Sequence, residues 1–278
     1  EYQLSNGVSI PKIGFGTWQI PDGEEVYNSV THALKVGYRH VDTAQIYRNE
    51  VGVGRAIADS GLVREEIFLT TKVWNDKHDY DLAKASIEES LEKLGVDYVD
   101  LLLIHWPNPK ALREKDAWKA GNAGAWKAME EAYQAGKVRA IGVSNFMIHH
   151  LEALLETADI KPHVNQVLLA PGCTQDELVA FCRQHEILLE AYSPLGTGSI
   201  FDNPVAQELA AKYGKSVAQL ALRWSLQKDF LPLPKSVTPQ NIEANLQIFD
   251  FELSKDDVIQ LDKLDGIKSQ KNPDEVDF

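Results

Sequence analysis

Three polar residues, Asp42, Lys72 and His105, each close an apolar, strand-like run, and a phenol, Tyr47, lies on the loop beyond the first of them. The runs are Tyr38 to Asp42, Ile67 to Lys72 and Val99 to His105, and one helix-length amphipathic stretch separates each run from the next. Strands joined by single helices run parallel, so their C-terminal ends open on one side of the sheet. An acid, an amine, an imidazole and a phenol are therefore expected at one mouth. An ammonium beside a phenol favours the phenolate and lowers a pKa that starts at about 10. The acid keeps the amine charged and oriented, and the imidazole can polarise a carbonyl oxygen. The set has no nucleophile elbow and no metal-ligand triad. It suits protonation of an oxygen while another species attacks the adjacent carbon.

A lone Asp–Lys bridge or a buried His would be merely structural, but three such residues at successive strand ends point to chemistry. In a parallel barrel the C-terminal ends of the strands carry function and the opposite ends carry stability. A metal-dependent hydrolase or isomerase built on His105 and Asp42 would need further His or carboxylate ligands at strand ends, and the sequence places none there.

The elements that must position these groups alternate along the whole chain. After a short hairpin, with Asn6-Gly7 turning between Tyr2-Gln3-Leu4 and Val8-Ser9-Ile10, come strand candidates at 13–17, 39–43, 67–73, 99–105, 138–144, 164–169, 188–193 and 230–234. Helical patterns separate every pair. Start signals include Asn203-Pro204, Thr238-Pro239 and a capping box from Thr174 to Glu177. No linker or low-complexity tract divides residues 1–278, and a closed α/β barrel takes about 250 residues as one unit. The expected fold is a single (β/α)8 TIM barrel domain whose N-terminal β-hairpin plugs one end. The doubly wound alternative needs G-x-G-x-x-G after the first strand. Gly14-Phe15-Gly16 and Gly52-Val53-Gly54 both lack the third glycine and read as turn or packing glycines.

A net charge of −13 argues against a nucleic-acid surface or an anionic membrane as partner, so any anionic ligand must be held by a few local cations. No apolar run reaches the roughly 20 residues that cross a bilayer, and no signal-peptide pattern opens the chain, so a cytoplasmic protein is expected. Cys173 and Cys182 match no metal spacing and read as reduced, structural thiols. Nothing indicates a large exposed apolar face, which makes a monomer the default.

Several stretches resemble the aldo-keto reductase family: Gly37-Tyr38-Arg39-His40-Val41-Asp42-Thr43-Ala44 with Tyr47, Thr71-Lys72, Leu103-Ile104-His105-Trp106-Pro107 and Ile141-Gly142-Val143-Ser144-Asn145-Phe146. Asn165-Gln166, Tyr192-Ser193-Pro194-Leu195-Gly196 and Pro234-Lys235-Ser236-Val237 extend the likeness over nearly the whole chain. Within the family the chain looks closest to the microbial 2,5-diketo-D-gluconate reductase group, including the tail Pro273-Asp274-Glu275-Val276-Asp277. The resemblance implies an NADP-dependent oxidoreductase that passes hydride from a nicotinamide to a small aldehyde, α-dicarbonyl or keto sugar, with Tyr47 giving the proton. It implies that Ser144, Asn145 and Gln166 bind the carboxamide and that Tyr192 stacks on the nicotinamide. Ser193, Leu195, Gly196 and the Thr197-Gly198-Ser199 loop would approach the pyrophosphate, and the loops after the last two strands are also the usual phosphate site of this barrel. Lys235, Ser236, Val237 and Thr238 would meet the adenosine phosphates, and Asn245 the adenine.

Where many relatives read Lys-Ser-Val-Thr-Pro-x-Arg-Ile-x-Glu-Asn, this chain has Asn241 for the arginine and Ala244 for the acid. The arginine packs on adenine and pairs with the 2′-phosphate. Its loss opens the site to NADH, although Lys235, Ser236 and Thr238 still favour NADPH. A substrate pocket over the nicotinamide is expected between Trp18, Trp74 and Trp106, capped by residues 107–120 and the tail after Gly266, and open beside the small Ala170 and Cys173. The competing reading is a nucleotide-binding redox sensor with little turnover, which has no need of Tyr47.

Overall fold

The computed structural model describes residues 1–278. Two short strands, β1 (Tyr2–Gln3) and β2 (Ser9–Ile10), pair antiparallel as the expected hairpin. Eight parallel strands follow: β3 (Phe15–Gly16), β4 (His40–Asp42), β5 (Phe68–Val73), β6 (Val99–Ile104), β7 (Val138–Ser144), β8 (Val164–Leu168), β9 (Leu188–Tyr192) and β10 (Leu231–Leu233). Each strand pairs with its neighbour in sequence, and the bonds Gly14 N to Pro232 O (3.1 Å) and Gly16 N to Pro234 O (2.9 Å) bring β10 against β3. The result is a (β/α)8 TIM barrel, as the alternation of elements predicts.

The helices α1 (Glu24–Val36), α2 (Glu50–Asp59), α3 (Tyr80–Leu94), α4 (Ala117–Gln134), α5 (Ile148–Thr157) and α6 (Asp176–Gln184) each follow one strand. Two helices, α7 (Pro204–Tyr213) and α8 (Val217–Gln227), connect β9 to β10, and α9 (Pro239–Leu246) and α10 (Lys255–Asp262) close the chain. Asn203 caps α7 by accepting from Val205 N and Ala206 N, as its place before Pro204 suggests. The capping box expected at Thr174 and Glu177 does not form. Gln175 takes the position before α6 with φ +43°, and its side chain turns away to donate to Leu168 O at 2.7 Å.

Side chains in a strand alternate between faces, and this sets the interior. On β6, Leu101 and Leu103 join the inner cluster with Phe68, Ala140, Val164, Leu231 and Leu233, while Leu102 and Ile104 belong to the outer cluster shared with the surrounding helices. The hairpin buries Leu4 and Ile10 against that inner cluster and so plugs the N-terminal end. Each such side chain contributes about 1.5–3 kcal/mol of burial. The same alternation turns Asp42, Lys72 and His105 inward at the opposite end.

Gly54 is a packing glycine, since a Cβ there would fall on the Leu94 carbonyl at the end of α3. Gly54→Ala should therefore separate α2 from α3 and cost about 1–3 kcal/mol. Thermal unfolding of the variant checks this.

Candidate active site

At the C-terminal mouth lies a cavity of about 710 Å³. Lys72 sits behind its wall, fully buried, where the three protons of its ammonium meet three acceptors: Asp42 Oδ1 at 2.6 Å, Thr43 O at 2.9 Å and Tyr47 Oη at 3.2 Å. An ammonium has no lone pair to offer. The Tyr47 oxygen must therefore accept from Lys72, which leaves the phenolic proton free to point into the cavity. Asp42 uses its second oxygen to accept from Gln166 Nε2 at 2.8 Å. The Tyr47 and His105 rings meet edge to face at 5.7 Å.

Burial pulls the Lys72 pKa down, but Asp42 and then Tyr47 pull it up and prevail, so the amine stays charged. Tyr47 departs from the sequence expectation. Burial raises its pKa by more than Lys72 lowers it, and Asp42 adds to the rise, so the phenol is a firmly protonated acid rather than an incipient phenolate. His105 is driven well below the ordinary imidazole value by burial and then by Lys72, which makes it a neutral ring at physiological pH. Its Nδ1 is buried without a partner.

The other expected residues divide into two groups. Trp18, Trp74, Trp106, Ser144, Asn145, Gln166, Tyr192, Ser193, Leu195 and Lys235 line the same cavity, with Trp18 half exposed at its rim. Gly196 is buried beside the lining residues Thr197 and Gly198, in a turn where all three have positive φ. Ser236, Val237 and Thr238 lie away from the cavity at the start of α9, and Asn245 is buried in its last turn. Ser236 Oγ accepts from Thr238 N at 3.0 Å, and Val237 borders a separate groove with His32 and Ile242. Asn241 is exposed in the first turn of α9. Four non-glycine residues with positive φ, Gln19 (+62°), Asn145 (+61°), Ser193 (+45°) and Thr197 (+52°), line the cavity, and such backbone conformations gather at binding sites.

The tail after Gly266 reaches the mouth as expected, with Lys268, Ser269, Lys271 and Phe278 in its lining, but the sequence did not single out which of its residues would act there. Phe278 stands 5.7 Å from Trp74 and 5.1 Å from Trp106, completing an aromatic wall over His105. Gln270 docks its side-chain amide deeper still: Nε2 donates to Asn145 Oδ1 at 3.0 Å, and Oε1 accepts from Leu168 N at 2.9 Å. Asn145 Oδ1 also accepts from Tyr192 Oη at 2.6 Å. The side expected to be open beside Ala170 and Cys173 is closed, because these two form a backbone bridge and Ile267 packs over the adjacent Gly172. Residues 107–120 hold the tail rather than roof the cavity: Lys110 N donates to Phe278 O at 2.9 Å, and Arg113 donates to Val276 O. Asn108 joins His149 and His150 in holding Asp274.

That His149–His150–Asp274 cluster has the composition of a metal site, but its tautomers oppose one. His150 Nδ1 accepts from Met147 N at 3.0 Å, so Nε2 carries the proton that it gives to Asp274 at 2.8 Å. A metal-bound imidazole needs the reverse, with Nδ1–H donating outward. The cluster is a hydrogen-bonded clamp on the tail.

A polyanionic dinucleotide fits this mouth. Lys235, Lys268 and Lys271 line the cavity of a chain whose net charge is −13, and the Gly196–Gly198 turn lies beside Lys268, whose backbone N–H donates to Ser199 Oγ at 3.1 Å. The fold, with this acid, amine, imidazole and phenol gathered at the C-terminal mouth, is that of a barrel enzyme. The chain belongs to the aldo/keto reductase family, whose sequence model matches residues 12–266. It is 48% identical over 280 residues to glyoxal reductase of Bacillus subtilis (strain 168), a match that takes in 99% of this chain and 97% of that protein. It is 41% identical to methylglyoxal reductase DkgA of Escherichia coli (strain K12), covering 98% and 96% of the two chains. An aldo-keto reductase of Bombyx mori solved in complex with NADP superposes with a TM-score of 0.84 at 38% identity, covering 94% of this chain and 91% of that one. The protein is accordingly an NADP-dependent oxidoreductase acting on carbonyl groups.

Proposed function

We propose that the protein reduces small α-dicarbonyls and aldehydes with NADPH, and that Tyr47 is the proton donor. The observation that carries this reading is the saturated Lys72 ammonium, which fixes the Tyr47 oxygen as an acceptor and aims its proton at the cavity. Lys72 is the positioning residue and Asp42 holds it. The neutral His105 ring orients the substrate oxygen beside Tyr47. Ser144, Asn145 and Gln166 would hold the carboxamide, the Tyr192 ring would face the nicotinamide, and Lys235, helped by Lys268, would pair with phosphate. Bound reduced nicotinamide supplies the hydride. The aromatic wall of Trp74, Trp106 and Phe278 excludes water from the reacting carbonyl.

The names of the relatives favour glyoxal-type substrates. Keto-sugar acids of the 2,5-diketo-gluconate kind form a second substrate class, favoured by Lys271, whose ammonium lies 5.9 Å from the Phe278 ring at the aromatic wall, where it can pair with a carboxylate.

Loss of reduced-nicotinamide absorbance with methylglyoxal and with a keto-sugar acid, run with NADPH and NADH, tests the reading. Faster turnover with NADPH is expected. Turnover with neither, despite cofactor binding, would favour the sensor alternative. Asn241→Arg is expected to lower KM for NADPH by about tenfold, equivalent to about 1.4 kcal/mol, and KM for NADH by distinctly less, since only the contact with adenine is gained there. An equal change for both cofactors would place the 2′-phosphate elsewhere.

A further inference from the structure

One layer below the catalytic group, on the inward face of β9, sits a carboxyl group that the proposed reaction does not use. Glu190 is fully buried, pairs in register with Gln166 of β8 and Leu231 of β10, and has no partner at Oε2. Its Oε1 is 3.5 Å from Gln166 Nε2, the same nitrogen that donates to Asp42 Oδ2 at 2.8 Å. One amide nitrogen thus stands between two buried carboxyl groups. We infer that Glu190 is a positioning residue for the reaction, acting through Gln166 on the Asp42–Lys72 pair. The inference rests on the reading of Tyr47, Lys72 and Asp42 as the proton-delivering group.

The chemistry follows from counting the groups that face Glu190. From β4 come His40 and Asp42, from β5 Thr70 and Lys72, from β8 Gln166, and from β10 only the apolar Leu231 and Leu233. Lys72 is the single cation, and its protons are already given to Asp42, Thr43 and Tyr47. His40 lies 3.8 Å from Glu190 Oε2, but burial and Lys72 push its pKa to about 3, so it stays neutral and supplies no counter-charge. Burial first, and then Asp42, raise the Glu190 pKa to about 8, so the group is an uncharged acid at neutral pH. In that form it leaves the Gln166 nitrogen bound to Asp42. Ionised, it competes with Asp42 for the Gln166 nitrogen and for the field of Lys72. The amide then shifts, Asp42 loses its second partner, and Lys72 is drawn from the Tyr47 oxygen.

The experiment compares Glu190→Gln, a neutral isostere of the acid, with the wild type over pH. The ratio of variant to wild-type kcat is expected to rise about tenfold between pH 7 and pH 9, because one ionisation centred at about pH 8 leaves only about a tenth of the wild type neutral at pH 9. Denaturant unfolding of the same pair supplies a readout independent of turnover. The folded-state pKa lies above the unfolded value of about 4.3, so the stability that the neutral acid contributes is complete below that value and is lost as pH rises through about 8. The wild type should therefore weaken relative to Glu190→Gln across this window. Parallel stability curves would overturn the inference by showing that Glu190 is already charged. Diverging stability with superimposable kcat profiles would overturn it by reducing Glu190 to a structural residue. Full turnover by Tyr47→Phe would remove the parent reading and this one with it, and is told apart because it leaves the stability divergence in place.

Discussion

Tyr47→Phe is expected to lower kcat by about 10²- to 10⁴-fold while the dissociation constant for NADPH stays within about twofold of the wild type. The ring that meets His105 at 5.7 Å and lies under the Lys72 ammonium at 4.8 Å is preserved, so packing around the mouth changes little. What disappears is one oxygen and the proton it carries. Lys72 loses one of three acceptors, a cost of about 1 kcal/mol that the fold can bear. Since burial keeps the phenol protonated, the wild-type acid is loaded throughout the neutral range, and no alkaline activation is expected from it. Single-turnover kinetics with prebound cofactor separates the chemical step from binding. A variant that retained its rate would move the proton donor to another group.

Lys72→Met should cost both stability and turnover. The side chain is fully buried and pairs with a nearly buried Asp42 at 2.6 Å, so its removal leaves a carboxylate without its cation. Breaking such a pair typically destabilises by about 3–5 kcal/mol. In a chain of this length that corresponds to a fall in Tm on the order of 10 °C. Adding Asp42→Asn should restore much of the lost stability, since no unpaired charge then remains, while activity stays absent because nothing holds the Tyr47 oxygen. Additive losses in the double variant would mean that the two residues are not coupled.

The strands were legible because each parallel strand is buried on both faces and so reads as an apolar run that a polar residue interrupts only for a reason. Asp42, Lys72 and His105 were such interruptions. Glu190 was another, two residues before Tyr192 and therefore on the same inward face. Its signal was present in Leu188-Leu189-Glu190-Ala191-Tyr192 and went unread because it lies below the strand end. The sign of the Tyr47 shift was not legible, since the balance between a neighbouring charge and desolvation depends on how deeply the fold encloses the ring. The failed cap at Thr174 shows a local motif overridden by a tertiary bond, the one from Gln175 to the Leu168 carbonyl. The tail carries no periodicity, so its sequence placed it over the mouth only as a whole and did not indicate that Phe278 would complete the aromatic wall or that Gln270 would bond to Asn145.

The docking of Gln270 divides labour along the proposed cofactor. Its primary amide already occupies Asn145 and the Leu168 N–H, so a nicotinamide carboxamide that settles there exchanges one amide for another of the same kind. Such a swap conserves the number of hydrogen bonds and returns a freed side chain to solvent, and it yields little net binding energy. On the proposed reading affinity would then come from the anionic end, where Lys235 and Lys268 line the cleft, and the residues at the nicotinamide end would serve to orient it. A grip at one end and an aim at the other would let spent cofactor leave while Asn145 and the Leu168 N–H return to the Gln270 amide.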